Sequence, residues 1–325
     1  MTKTYDCRLS FSSAIIESAE IDERIVVVCN DSVSSASMVD FQNRFPKRLI
    51  NVGIAEQNMI GVAVGLANAG FVPIVCAASC FLCARAYEQI KVDVGYSKAN
   101  VKLFGVSPGF AYGALGATHH SPEDIALIHS VPGILIAAPS DPNETKAATV
   151  AAIEHDGPTF VRVLRSPVKE LEGLGVKFQF GQSYSYGRGP DVLFITNGLA
   201  LHRVIEAIPF LSQKNIESTV VNASSVRPLD SATVLSRAAS CRVVVTVEEG
   251  NAQGGLGSAV SKLLAEYGGK PVLQLGVAEF APTGSTDEIF AHFKLDAIGI
   301  CTSVVDFMER TLTGQRAILH SGLTR

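Results

Sequence analysis

Residues 57–84 read QNMIGVAVGLANAGFVPIVCAASCFLCA, a stretch of 28 positions without a charged side chain. One helix of this length could cross a bilayer, which takes about 20 apolar residues. However, Asn68, Gly70 and Pro73 interrupt the stretch, and its second half changes to a short β-branched run. These features predict a buried helix, a turn and a buried strand, and we expect no membrane-spanning segment.

Short apolar runs recur along the rest of the chain, separated by segments of helical pattern. Within each run the apolar residues are continuous rather than alternating, which indicates strands buried on both faces of a sheet. The runs are Ile25–Val28, Val72–Cys76, Val101–Phe104, Ile134–Ala138, Thr159–Val163, Val192–Thr196, Ser218–Val221, Val243–Val247 and Val272–Leu275. We therefore predict an α/β protein with two parallel-sheet domains.

A polar segment rich in Gly and Ser, residues 165–190, interrupts this pattern. We place a domain boundary inside it, so that residues 1–185 form the first domain with its linker and residues 186–325 form the second. Within the first domain, Ser121 and Asp141 are each followed by Pro and by acidic residues. This pattern predicts that a helix begins after each of them.

The charge balance excludes some classes of partner. The 27 Lys and Arg residues against 31 Asp and Glu residues give a formal charge of −4, and no block of like charges occurs. A nucleic-acid partner is therefore not expected. The first 20 residues lack an apolar core, so we expect no secretory signal. Seven Cys residues, an odd number, favour free thiols and a cytoplasmic protein.

Two motifs suggest chemistry that their setting disfavours. Cys76, Cys80 and Cys83 have the spacing of an iron–sulfur cluster, but they begin inside a predicted core strand, where small buried side chains pack well. Ser107 occupies the nucleophile position of a hydrolase elbow in GVSPG, residues 105–109. Pro108 has no N–H to donate to an oxyanion, so we predict instead a turn that opens a substrate loop.

Glu56 is a carboxylate at the head of the uncharged stretch. Burying an unpaired carboxylate is costly, so its place among apolar residues needs a reason. We predict a buried acid with a raised pKa that shares a proton with a nitrogen atom of a ligand. The alternative is that the carboxylate caps the N-terminus of its own helix.

A loop with ligand-binding character follows the predicted third strand. It reads FAYGALGATHHS at residues 110–121. Glycine-rich loops at the C-terminal ends of parallel strands are common ligand sites. His119 and His120 are therefore candidate ligand contacts, whereas a metal site is disfavoured because no third ligand is evident nearby.

Several motifs, in order along nearly the whole chain, resemble the C-terminal half of a transketolase. They are NVGIAEQ (51–57), ARAYEQI (84–90), GATHHSPEDIAL (116–127), PSDPNE (139–144), SVRPLD (225–230) and TVEEGNAQGGLGSAV (246–260). The resemblance implies a thiamine-diphosphate pyrimidine-binding domain followed by a transketolase C-terminal domain. It also implies transfer of a two-carbon ketol unit from a ketose to an aldose phosphate.

The resemblance implies four cofactor-binding residues. Glu56 matches the glutamate that hydrogen-bonds the ring nitrogen of the cofactor's aminopyrimidine and helps to activate it. Phe81 matches an aromatic residue that stacks on the pyrimidine. Ile54 lies in the same motif as Glu56, and Asp31 lies where the family has a carboxylate near the cofactor.

The residues expected to contact the substrate include three departures from the family pattern. His119 matches a substrate-facing histidine, and Arg165 matches an arginine that holds the sugar phosphate, a role that suits its fork of donors. Leu115 stands where the family has an aspartate that bonds sugar hydroxyls. Ser107 replaces a second histidine, and His120 replaces a glutamine. We therefore expect thiamine chemistry with an altered sugar preference.

The resemblance implies a partner chain. The cofactor's diphosphate needs a divalent cation such as Mg²⁺, and this sequence has no Gly-Asp-Gly followed by Asn-Asn to hold one. We expect an N-terminal transketolase subunit to hold the cation, in at least a dimer of heterodimers. Residues 57–84 are expected at or beside that interface. Candidate substrates are pentose phosphates and rarer ketoses such as apulose phosphate or sulfo-fructose.

Three alternatives remain open at this point. The chain could be similar in function to 1-deoxy-xylulose 5-phosphate synthase, or to the beta subunit of 2-oxo acid dehydrogenases, which are thiamine enzymes too. It could also be a non-catalytic assembly subunit that keeps the fold without the substrate residues.

Overall fold

The chain folds into β-strands and helices that alternate along most of its length. A computed structural model describes residues 3–171, 178–267 and 269–312. The strands in these ranges are β1 (Ile25–Cys29), β2 (Leu49–Asn51), β3 (Val72–Ala78), β4 (Lys102–Val106), β5 (Leu135–Ala137), β6 (Thr159–Val163), β7 (Tyr184–Tyr186), β8 (Val192–Thr196), β9 (Ser218–Asn222), β10 (Ser225–Arg227), β11 (Val243–Asn251) and β12 (Val272–Val277).

The helices lie between these strands and at both ends of the described chain. They are α1 (Cys7–Ile21), α2 (Val39–Arg44), α3 (Glu56–Asn68), α4 (Tyr87–Gln89), α5 (Asp124–His129), α6 (Pro142–Glu154), α7 (Gly198–Ser212), α8 (Ser231–Ala239), α9 (Leu256–Glu266), α10 (Thr286–His292) and α11 (Ala297–Leu312). Two π-helical segments, Phe81–Arg85 and Ile90–Tyr96, flank α4, and Gly113–Leu115 forms a 3₁₀ turn. None of the helices in the described residues is long and apolar enough to cross a membrane.

The strands form two separate sheets. In the described residues the first sheet has seven strands in the order β10-β5-β6-β4-β3-β1-β2, and the second has five in the order β12-β11-β8-β9-β7. Neighbouring strands are parallel except at two edges, where β10 pairs with β5 and β7 pairs with β9 in antiparallel fashion. The predicted α/β class with two parallel sheets is confirmed, with one antiparallel strand added at an edge of each sheet.

All of the strands predicted from apolar runs are present, but three short strands were not predicted. These are β2, β7 and β10, and each is three residues long. Three residues are too few to show a period of two or a continuous apolar run. Their pairing is set by the neighbouring strand rather than by their own pattern.

Two of these short strands bear on the expected domain boundary after residue 185. Strand β7 spans residue 185 and pairs with β9 of the second sheet. Strand β10 follows three strands of the second sheet but joins the first sheet beside β5. The division after residue 185 stays a prediction.

The apolar core of the first domain lies on both faces of its sheet. Alternate residues of β3 belong to different apolar clusters: Val75 packs in one and Cys76 in the other. Strands β4 and β6 contribute to both clusters in the same way. Burial on both faces explains why the apolar runs are continuous, since each position of such a strand faces a core.

One of the two predicted helix starts is confirmed and the other is wrong. Asp141 caps α6, because its Oδ1 accepts a hydrogen bond of 2.7 Å from the Glu144 N–H. Helix α5 instead begins at Asp124, two residues after Pro122, where the pattern places the first helical residue. The backbone of Ser121 forms a two-way bridge with Gly109 that closes the preceding loop, so it is not available to start a helix.

Candidate functional site

Glu56 is a buried carboxylate held by two side chains from neighbouring strand ends. It is the first residue of α3, and its Oε1 accepts a hydrogen bond of 2.8 Å from Nδ2 of Asn30. Its Oε2 accepts a hydrogen bond of 2.8 Å from Nη1 of Arg85. Asn30 directly follows β1, and Arg85 closes the π-helical segment after β3. Because β1 and β3 are adjacent and parallel, their carboxyl ends meet at one edge of the sheet.

The pKa of Glu56 differs from the sequence-based expectation. Burial alone would raise this pKa, but the hydrogen bonds from Arg85 and Asn30 together lower it below its usual value. The predicted raised pKa is therefore wrong for the isolated chain. The physical reason is that the Arg85 guanidinium and the Asn30 amide stabilise the ionised carboxylate more than burial destabilises it. The alternative that Glu56 only caps its own helix does not account for these two partners.

A line of ring contacts leads away from Glu56. The Arg85 guanidinium lies 4.4 Å from the ring centroid of Phe81, and the Phe81 ring packs edge-on against His119 with centroids 5.2 Å apart. His119 in turn lies 5.9 Å from the ring of Tyr112, and the guanidinium of Arg165 lies 4.9 Å from that same ring.

The structure thus brings four of the residues singled out in the sequence into one connected group. Glu56, Phe81, His119 and Arg165 are joined through Arg85 and Tyr112, in the order just described. The group contains an acid, a partly exposed aromatic ring, an imidazole and a guanidinium. This combination suits a ligand with a nitrogen heterocycle at one end and an anionic group at the other.

Three further predicted site residues lie on exposed surface. Asp31 follows Asn30 in the chain and accepts a hydrogen bond of 3.2 Å from Asn51. The side chains of Ile54 and Leu115 are 79% and 55% exposed. Their roles stay predictions.

Ser107 and His120 are buried instead. Ser107 follows β4 with a positive φ of 56°, and among the described residues its Oγ has no hydrogen-bond partner. His120 bonds through Nε2 to the carbonyl oxygen of Gly113 at 3.1 Å, and its ring packs edge-on against Phe110. The contacts of His120 are thus different from those of the neighbouring His119, and substrate contact by Ser107 or His120 stays a prediction.

Cys76, Cys80 and Cys83 are buried free cysteines. Cys76 and Cys83 belong to apolar clusters on different faces of the first sheet, and burial raises the pKa of both thiols well above the usual value. Within residues 3–171, 178–267 and 269–312, no group of three His, Cys, Asp or Glu side chains could hold a metal ion. The structure thus shows Cys76 and Cys83 as small buried side chains that pack in the apolar core.

The residues around Glu56 fit the pyrimidine end of thiamine diphosphate. The Oδ1 atom of Asn30 is buried beside Glu56 and has no hydrogen-bond partner in the described part of the chain. A buried acceptor without a partner is costly, so a ligand donor at this point would stabilise the site. Glu56 offers a carboxylate to a ring nitrogen, and Phe81 offers a flat apolar surface nearby.

Sequence reasoning missed Asn30, Arg85 and Tyr112 as members of the group. Arg85 left a signal, because it is the first charged residue after the uncharged stretch and Glu56 is the last one before it. Two opposite charges at the ends of an apolar segment suggest an ion pair if the chain turns back. Tyr112 lies in the predicted ligand loop, residues 110–121, although nothing in the pattern distinguishes it there, and Asn30 left no comparable signal.

Comparison with known proteins matches both parts of the chain. The family described as Transketolase, pyrimidine binding domain, matches residues 3–170, and Transketolase, C-terminal domain, matches residues 184–300. One of the subunits of the apulose-4-phosphate transketolase of Phocaeicola vulgatus is 38% identical over 94% of this chain and 98% of that protein. The 6-deoxy-6-sulfo-D-fructose transketolase subunit SqwH of a Clostridium species is 33% identical over 93% and 94%.

A longer relative and two solved structures extend the comparison. The 1-deoxy-D-xylulose-5-phosphate synthase of Syntrophotalea carbinolica is 33% identical over 92% of this chain but only 48% of that protein. A structure described as a split gene transketolase, inactive beta4 tetramer, has a TM-score of 0.86 and 31% identity over 94% of this chain and 99% of that one. A Pichia stipitis transketolase shares the fold, with a TM-score of 0.80 and 18% identity over 95% of this chain and 47% of that one. The chain therefore belongs to the transketolase family and spans its pyrimidine-binding and C-terminal domains.

Proposed function

We propose that this chain is the C-terminal subunit of a two-subunit transketolase that transfers a two-carbon ketol unit from a ketose to an aldose phosphate. The observation that carries the proposal is the buried Glu56 carboxylate, held by Asn30 and Arg85 beside Phe81 and His119. Two relatives of nearly the same length are named as transketolase subunits, which supports this function over that of the longer synthase.

In this proposal Glu56, Phe81 and Asn30 hold the aminopyrimidine of thiamine diphosphate. When bound, the cofactor supplies a carbon nucleophile that the side chains of proteins lack. Glu56 holds or releases a proton at the pyrimidine ring nitrogen, and Arg85 sets how readily it does so. Asp31 and Ile54 border this end of the site.

The substrate residues are proposed to be His119, Arg165, Leu115, Ser107 and His120. His119 contacts the sugar, and Arg165 binds its phosphate or a comparable acidic group through paired donors. Leu115 replaces hydrogen bonding with shape selection, so a ketose other than the usual pentose phosphate is the proposed donor. Ser107 and His120, which are both buried, contribute to the same substrate site.

We further propose that an N-terminal partner subunit holds Mg²⁺ and the diphosphate. The described residues offer no cluster of ligands for the cation. The exposed Ile54 and the exposed positions of α3 suit burial against another chain, in at least a dimer of heterodimers. Free thiols at all seven cysteines suit the reducing cytosol, which is the proposed location.

The deciding experiment is reconstitution. The chain is purified alone and together with a candidate N-terminal subunit, and ketol transfer is assayed with thiamine diphosphate and Mg²⁺. We expect activity only from the mixture; a similar solved protein is described as an inactive tetramer of one subunit type, which supports this expectation. Full activity of the chain alone would contradict the two-subunit proposal. A mixture that binds the cofactor but shows no transfer with any donor would favour a non-catalytic assembly subunit.

A further inference from the structure

The loop that carries His119 is anchored in the second domain by Phe110. The Phe110 side chain is fully buried and belongs to the apolar core cluster of the second domain, together with Phe290 and residues of β8 and β11. Its ring is stacked on Phe293 with centroids 5.8 Å apart and meets Phe290 edge-on at 6.4 Å. A first-domain loop residue thus completes the core of the second domain.

The backbone of Phe110 is held by the second domain as well. Its N–H donates a hydrogen bond of 2.8 Å to Oε1 of Glu249, a buried residue of β11. Its carbonyl oxygen accepts a hydrogen bond of 3.1 Å from the Thr286 hydroxyl at the start of α10. Both polar groups of one loop residue are therefore satisfied by side chains of the other domain.

The turn before Phe110 packs closely against Glu249. Gly109 has a φ of 57°, and a Cβ at this position would lie 2.2 Å from the carboxylate carbon of Glu249. Further along the loop, the Gly284 N–H donates a hydrogen bond of 3.2 Å to the carbonyl oxygen of Gly113. The loop is thus in close contact with the second domain both before and after Tyr112, which packs against His119.

Glu249 is itself held in place by Arg162 of the first domain. The Arg162 guanidinium is fully buried and donates a hydrogen bond of 3.0 Å to the backbone carbonyl of Glu249. It also forms a two-point contact with the carboxylate of Asp124 at 3.0 Å. Burial raises the pKa of Glu249 to about 7, and the nearby Arg162 charge opposes that rise. The hydrogen bond from Arg162 thus fixes the backbone of Glu249, and the Phe110 N–H holds its carboxylate.

We propose that Glu249 is a positioning residue: by accepting the Phe110 N–H, it fixes the loop so that His119 stays against Phe81 and Tyr112. The inference rests on the proposed function, in which His119 contacts the sugar. It gives the second domain a part in catalysis, although its residues lie outside the connected group that runs from Glu56 to Arg165.

The test uses the reconstituted two-subunit enzyme and four variants. Glu249→Ala removes the acceptor, whereas Glu249→Gln retains an oxygen that can accept the Phe110 N–H. Thr286→Val removes the second contact to Phe110 with little change in shape. Glu248→Ala is the matched control. The Glu248 carboxylate is equally buried in β11, but within the described part of the chain it accepts hydrogen bonds only from the N–H groups of Leu256 and Gly257, both in its own domain.

We expect Glu249→Ala to raise the donor KM and lower kcat/KM by up to about 10²-fold, the cost of a displacement near 1 Å. Thr286→Val should change both parameters in the same direction, and Glu249→Gln should retain most of the activity. Glu248→Ala should leave the donor KM unchanged. Equal losses in Glu248→Ala and Glu249→Ala would overturn the proposal, because they would show a general effect of β11. If Glu249→Ala does not fold, Thr286→Val takes its place in the comparison with Glu248→Ala. Glu249→Gln is then still expected to retain most of the activity.

Two further measurements separate this inference from the proposed function. Hydrogen exchange of residues 109–121 in the substrate-free complex should accelerate in Glu249→Ala and stay unchanged in Glu248→Ala. In a His119→Ala background, Glu249→Ala should cost no more than a small further loss, since both changes act on one contact. An unchanged exchange rate or a fully additive loss overturns the positioning role alone. If His119→Ala itself leaves the donor KM unchanged, the proposed role of His119 fails, and the proposal that Glu249 acts through it fails too.

Discussion

Glu56 lies under two opposing influences whose balance sets its charge. Burial favours the protonated carboxyl, whereas the guanidinium of Arg85 and the amide of Asn30 favour the carboxylate. In the isolated chain the second influence is stronger, so Glu56 is ionised at neutral pH. A ligand that covers the site would strengthen the effect of burial, which couples the protonation of Glu56 to ligand binding.

The first prediction concerns the substitution Glu56→Gln. The amide keeps the shape of the carboxylate but cannot hold or release a proton, so ketol transfer by the reconstituted enzyme should fall by about 10²–10⁴-fold. The thermal midpoint should change little in comparison. Exchange of the thiazolium C2 proton, followed by NMR, checks the same step without a substrate. Exchange at the wild-type rate would mean that Glu56 has only a structural role.

The second prediction concerns the choice of donor at Leu115. An aspartate there could bond sugar hydroxyls that the exposed leucine cannot, so Leu115→Asp should raise kcat/KM for xylulose 5-phosphate relative to the native donor. Ile298→Asp, at another exposed apolar side chain that lies in α11 and outside the proposed site, is the control for a general effect of added charge. A donor panel measures the ratio. Efficient use of xylulose 5-phosphate by the wild-type enzyme would contradict the inference drawn from Leu115.

At the residue scale, part of the connected group could be predicted from the sequence. Glu56 could be found because a charge at the head of an apolar segment requires an explanation, and His119 because it lies in a glycine-rich loop. Asn30 could not be found in this way, because its partner Glu56 lies 26 positions away. Tyr112 lies in the same loop as His119, but its contact with the His119 ring depends on how that loop folds. Arg85 could have been paired with Glu56 by charge alone.

At the scale of elements, the π-helical segment Phe81–Arg85 joins two halves of the site. A π-helix has more residues per turn than an α-helix, and such segments are frequent at functional sites. Here the first and last residues of the segment contact each other, since the Arg85 guanidinium lies over the Phe81 ring. From that position Arg85 also reaches Glu56, so one segment links the aromatic ring to the acid.

The third prediction follows from this link. Arg85→Met removes the strongest influence that lowers the pKa of Glu56, while burial, which raises it, remains. The pKa of Glu56 should therefore rise, and the acid limb of the pH profile of kcat/KM should move to higher pH. Arg85→Lys keeps the charge and should give a smaller shift. A profile that does not move in Arg85→Met would show that Glu56 does not titrate in the step being measured.

Strands were predicted best where their own residues form a recognisable pattern. Continuous apolar runs identified the long strands, because burial on both faces of a parallel sheet leaves a mark on every residue. Strand β10 has no such mark, and it pairs with β5 across about ninety positions of sequence. The prediction that a helix starts at Ser121 was wrong for a related reason: the backbone of Ser121 pairs with Gly109, a contact that the local pattern does not show.

At the scale of the whole molecule, two buried carboxylates lie where the domains meet. One is Glu249, which holds Phe110. The other is Glu144 of α6, whose Oε1 accepts a hydrogen bond of 3.0 Å from Asn222 at the end of β9 and whose Oε2 accepts one of 2.7 Å from the Ser140 N–H. Neither of these contacts could be inferred from the sequence, because each joins a helix or loop of the first domain to a strand of the second.

The last prediction concerns pH and the stability of this contact. Burial raises the pKa of Glu144 from 4.5 to about 7, although the nearby Ser224 hydroxyl and the hydrogen bonds from the Ser140 N–H and the Asn222 amide oppose the rise. Between these two values the folded chain binds more protons than the unfolded chain. The stability that the neutral carboxyl contributes is therefore fully present below a pH of about 4.5 and is lost as the pH rises through about 7.

Glu144→Gln isolates this effect, because the amide does not ionise. Relative to this variant, the wild-type chain should lose thermal stability between about pH 5 and about pH 8, since only the wild type must then bury a charge. Glu154→Gln, an exposed position at the end of the same helix, is the matched control and should show a constant difference. Thermal midpoints of the three chains across this range decide the matter. A gap between wild type and Glu144→Gln that stays constant with pH would mean that water or a counter-charge reaches Glu144, and that the contact between the domains opens in solution.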